Sequence, residues 1–175
     1  LEKLYFEHVR LGQLRDNFKE IEPLIRDADL VSFDLCAIQS AVVPGAVDVQ
    51  PFGLSGDEAS QICWFAGSNE KLSSFGVYGY DPYYDDTHNK TAQVAAVMIW
   101  YFIEGFYSRK DSLSFKSAAY LKYTVSMDSK PNTLIFYKSK RSGKWWMEIP
   151  YNDASRFERV SIVPCSYSDY QQAQQ

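Results

Sequence analysis

The chain has 175 residues, 46% of them hydrophobic and 16% aromatic, with a formal net charge of −4. A chain of this length buries roughly 70% of the surface its unfolded form exposes, so it forms a core without help from a disulfide or a metal. Acidic and basic residues are interspersed, which excludes the basic stripe a nucleic-acid binder needs, and no apolar run reaches the ~20 residues of a membrane-spanning helix.

Residues Leu11 to Ala28 are expected to form the first helix. Leu14, Phe18, Ile21, Leu24 and Ile25 recur at helical spacing, and Pro23 would kink or tighten the last turns. Leu30 to Cys36 reads as a short strand apolar enough to be covered on both faces. A Pro- and Gly-containing loop over 40–55 leads to a helix from Gly56 to Gly67, with acidic residues at its start and Gly67 at its end. Ser73 to Tyr80 is a second strand, followed by a turn-rich stretch from Asp81 to Asn89. Thr91 to Tyr107 is the strongest helix of the sequence. Alternating helices and strands of this kind predict an α/β layer with a mainly parallel sheet.

The last third is richer in strands. Leu121 to Met127, Thr133 to Lys138, Lys144 to Ile149 and Val160 to Pro164 are expected strands. The second and third are joined as a β-hairpin, whose tip carries the short basic run Lys138-Ser139-Lys140-Arg141. Ser166 to Gln174 is a weakly helical tail. The expected organisation is one domain over 1–175, with a β-rich extension over 111–165. The three cysteines (Cys36, Cys63, Cys165) are scattered, odd in number and outside any C-x-x-C pair. They read as free thiols of a reducing, cytoplasmic compartment.

Three segments carry a more specific pattern. The first is Ser32-Phe33-Asp34-Leu35-Cys36-Ala37-Ile38-Gln39 with Pro44-Gly45. The second is Phe52-Gly53-Leu54-Ser55-Gly56-Asp57-Glu58-Ala59. The third is Gly79-Tyr80-Asp81-Pro82-Tyr83-Tyr84-Asp85 with Thr91-Ala92. In this order and spacing they resemble the arginase, agmatinase and formimidoylglutamase superfamily, whose motifs read S-F-D-x-D-x-x-D-P-x-x-A-P-G, G-G-L-[ST]-x-x-E-[AG] and E-x-N-P-x-x-D followed by T-A. The distal strands are similar to the C-terminal extension of formimidoylglutamase-like proteins of the Bacteroidetes group. The resemblance implies a three-layer α/β/α fold with a β-hairpin appendage, the chain forming the C-terminal part of a longer domain.

The resemblance also implies a reaction, and the residues depart from it. Two divalent cations ~3.5–4 Å apart would bridge a hydroxide and clamp the transition state of C–N hydrolysis, held by carboxylates and imidazoles. On this pattern Asp34 stands where the first loop aspartate belongs, a vestigial metal ligand. Cys36 and Gln39 replace the other two aspartates, and Gly79 replaces a glutamate. His8 and His88 have no partner at ligand spacing. Cys36, Gln39, Tyr80 and Asp81 remain candidates for lining the cleft. Asp34 by itself reads as a carboxylate bonded to nearby backbone at a strand end.

Two functional readings lead, beside a third in which the vestigial cleft binds a small ligand through its tyrosines. In the first, the chain has lost metal-dependent hydrolysis, holds no cofactor, and serves as a scaffold or binding protein. In the second, it is an active manganese hydrolase of guanidino or formimino compounds whose other ligands lie outside this sequence. Adjacent aromatics on an extended segment point to opposite faces, so one of Trp145 and Trp146, and one of Tyr83 and Tyr84, is expected to be exposed. Trp145 and Trp146 are therefore candidates for an interface with a protein partner or a second copy.

Overall fold

A computed structural model of the chain describes residues 8–126, 133–149 and 161–175. They divide into two compact units, residues 1–109 and 110–175. Met127 and Val160, expected ends of two strands, lie outside the described residues.

The first unit begins with a helix that is interrupted. Instead of one helix over 11–28 there are α1 (Leu11–Asp16), a 3-10 turn (Phe18–Glu20) and α2 (Ile21–Asp27). The break lies upstream of Pro23 and not after it. A proline ring clashes with the carbonyl four residues earlier and supplies no N–H, so it fits only the first turn of a helix. Pro23 duly occupies the first turn of α2.

Strand β1 (Leu30–Asp34) runs parallel to β2 (Ser74–Tyr78), with Phe33 opposite Val77 and Asp34 opposite Tyr78. Between them lies α3 (Gly56–Gly67), and after them α4 (Lys90–Tyr107). Ser55 caps α3 by accepting the Glu58 N–H, while the Glu58 carboxylate accepts the Ser55 N–H. This reciprocal box satisfies two donors that a helix start leaves orphaned. Helices α3 and α4 approach backbone to backbone: a Cβ on Gly67 would lie 2.0 Å from the Phe102 carbonyl oxygen, and one on Gly105 2.3 Å from that of Trp64.

The helices cover one face of the β1–β2 pair. Phe33, Ala59, Ile62, Cys63 and Met98 form the core with Phe75, Val77 and Phe102, and the rings of Phe75 and Phe102 stack at 4.4 Å. The other face is open, with Leu30 62% and Tyr78 60% exposed. The expected cover on both faces of the first strand is thus not met among the described residues. Successive side chains of a strand point to opposite faces, and the core is built on the side of Phe33 and Phe75 alone.

The second unit is a four-stranded antiparallel sheet in the order β3 (Tyr120–Ser126), β4 (Thr133–Ser139), β5 (Trp145–Ile149), β6 (Ser161–Cys165), closed by α5 (Tyr167–Ala173). Its tryptophans correct the expectation of exposure: Trp145 is 6% and Trp146 2% exposed. Alternation holds, but both faces of β5 are covered. Trp145 packs on Tyr123 and on Tyr167 and Tyr170 at α5, whereas Trp146 packs on Tyr120 and on Phe115 from the segment before β3. Both interface candidates are thus buried within this unit. Tyr83 and Tyr84, by contrast, are both exposed.

Candidate functional site

The loop that follows β1 is fixed at both ends by buried apolar anchors. Leu35, Ile38 and Val43 have no exposed surface, and Ala46 is buried beside them. Asp34 ends the strand and accepts the Cys36 N–H at 2.9 Å, capping a 3-10 turn over Leu35–Ala37. This is the backbone-bonded aspartate the sequence implied. The Cys36 sulfur accepts the Asp48 N–H at 3.4 Å. That bond draws the thiol pKa down, but the adjacent Asp34 carboxylate, partial burial and the charges of both aspartates outweigh it, leaving the thiol above its ordinary value.

Gln39 bonds to the segment at Gly53 and Leu54. Its backbone N–H reaches the Leu54 carbonyl at 3.0 Å, and its side-chain Nε2 donates to the Gly53 carbonyl at 3.3 Å. Arg15 donates to the same carbonyl at 2.8 Å and pairs with Glu58 at 2.9 Å. The guanidinium hydrogen bond holds the Glu58 carboxyl below its ordinary value. An aspartate at position 39 could not donate to Gly53, since an ionised carboxylate only accepts.

The segment after β2 closes over the loop. Val47 N–H donates to the Gly79 carbonyl at 3.0 Å, Asp81 N–H to the Gly45 carbonyl at 2.8 Å, and Gly45 N–H to the buried Thr91 hydroxyl at 2.8 Å. Gly79 has φ +81°, in the left-handed region where a side chain is strained. A Cβ there would stand 2.5 Å from Asp34 Oδ1 and 3.4 Å from the Cys36 sulfur. Asp81 uses its own carboxylate for a turn, accepting the Tyr83 N–H at 2.9 Å.

Asp85 anchors the start of α4. Its oxygens accept the N–H groups of Thr91 at 3.0 Å, Ala92 at 3.2 Å and Asp86 at 3.0 Å, and the Tyr80 hydroxyl at 3.3 Å. Partial burial resists ionisation, but the bonds from Thr91, Ala92 and Asp86 prevail and lower the carboxyl to about 2. The Tyr80 hydroxyl is raised by burial and by the Asp85 charge.

Of the expected cleft residues, the structure brings Asp34 and Cys36 together beside Gly79. Gln39 is turned to Gly53, Tyr80 and Asp81 are engaged in turn contacts, and Trp145 and Trp146 belong to the second unit. Among the described residues no group of three or more His, Cys, Asp or Glu side chains is placed to hold a metal ion. His88 sits in the turn before α4, its N–H donated to Asp86. The donors present do not fit a pair of hard cations: one carboxylate already engaged by backbone, a protonated thiol, an amide aimed elsewhere and a glycine. Sequence reasoning missed Asp85, Thr91, Arg15 and Glu58 as the residues that pin the loop. Ser55-x-x-Glu58 is a capping-box pattern legible in the chain, but nothing local joins Thr91 to Gly45.

Comparisons with known proteins bear on the fold. The chain is similar in fold to the formiminoglutamase of Trypanosoma cruzi, with 24% identity, a TM-score of 0.52, and 57% of this chain and 36% of that one covered. One structure of that protein is described with Mn2+. It is also similar to the formimidoylglutamase of Bacillus subtilis (20% identity, TM-score 0.56, 63% and 37% covered) and to the arginase of Entamoeba histolytica (20%, 0.52, 58% and 36%). The chain thus spans a little over a third of the length of these structures. No curated protein sequence matches it. The pattern that describes the Arginase family matches residues 3–104, more than half of the sequence, and the chain belongs to that family.

Proposed function

We propose that this chain is an arginase-family protein that has lost binuclear-metal C–N hydrolysis, holds no manganese, and acts as a scaffold or binding protein. The observation that carries the reading is Gly79: its positive φ and the 2.5 Å approach of a Cβ to Asp34 Oδ1 leave no room for an acidic side chain beside the remaining carboxylate. Supporting it, Cys36 and Gln39 are each used locally, as acceptor from Asp48 and donor to Gly53. The architecture we infer for the whole domain is a three-layer α/β/α sandwich with a mainly parallel sheet and a C-terminal hairpin appendage. The parallel β1–β2 pair and the antiparallel β4–β5 pair support that reading. No helix among the described residues is long and apolar enough to cross a membrane; a cytoplasmic location and a protein partner belong to the same proposal.

Metal analysis tests it directly. The protein at its full natural length, incubated with excess Mn2+ and then desalted, is expected to retain no stoichiometric manganese, and to release neither urea nor formamide from guanidino or formimino compounds. Two retained manganese ions per chain, or turnover of either substrate class, would establish the active-hydrolase alternative instead.

A further inference from the structure

We draw no further inference here: the strongest candidate, the groove between the first turns of α3 and α4 lined by Gly56, Ser60, Lys90, Gln93 and Tyr101, belongs to a chain that spans little more than a third of the structures it resembles, and nothing in the structure shows what covers it.

Discussion

Replacing Gly79 by alanine isolates the contact on which the reading of the site rests. Gly79 sits at φ +81°, where an L-residue costs about 1–2 kcal/mol. The new Cβ would also lie 2.5 Å from Asp34 Oδ1, well inside contact distance, so Asp34 must swing away. Swinging away forfeits its bond to the Cys36 N–H, a cap worth about 1 kcal/mol. Together these predict a loss of about 2–3 kcal/mol, large against a typical stability of about 5–15 kcal/mol. Urea unfolding followed by circular dichroism measures it as a fall in midpoint at unchanged m-value. In an Asp34→Ala background the clash and the cap are already gone, so Gly79→Ala should then cost only the backbone term. The cycle should show about 1 kcal/mol of coupling. Additive effects, or a neutral Gly79→Ala, would refute the reasoning. The family-like variant Gly79→Glu with Cys36→Asp and Gln39→Asp should likewise bind no manganese; stoichiometric binding would sink the steric argument.

The remaining predictions concern packing, pH and thiol chemistry. Gly105→Ala places a Cβ 2.3 Å from the Trp64 carbonyl oxygen, forcing α3 and α4 apart at about 1–3 kcal/mol against about 1 kcal/mol gained in helix propensity; a raised melting temperature would refute this. Asp85, drawn from 3.8 to about 2, contributes stability that is full above its unfolded value and lost as pH falls through about 2. The melting temperature of the parent should therefore fall more steeply across pH 4 to 2 than that of Asp85→Asn, and equal slopes would count against the anchor. At pH 8 a disulfide reagent should modify Cys36 more slowly than a free thiol, because its thiolate is disfavoured. Cys63, raised to about 12 by burial, should react only on unfolding; equal rates at both cysteines in the native protein would contradict these positions.

Much of the fold was legible because it is written locally. The boundaries of α3 and α4 follow from apolar spacing, the Ser55–Glu58 cap and Gly67, and the strand after α2 from its apolar run. The break in the first helix lies upstream of Pro23 rather than after it, because the proline ring clashes with the preceding turn, a constraint already present in the sequence that apolar spacing over 11–28 does not show. The family pattern was legible as well, since the three motifs occur in order. At the site, the resemblance alone implied which residues stand where the family's ligands belong.

What the sequence could not supply was where those replacements point and which faces are covered. The turn of Gln39 toward Gly53, the close approach of position 79 to Asp34, and the bond from Gly45 to Thr91 join residues 14 to 46 positions apart, and only the packed loop brings them together. The tryptophans teach the same lesson from the other side. Alternation along β5 sent Trp145 and Trp146 to opposite faces, as expected, but whether a face is wet depends on what else lies on it. There α5 and Phe115 cover both. Periodicity fixes the direction of a side chain; burial is a property of the elements packed around it.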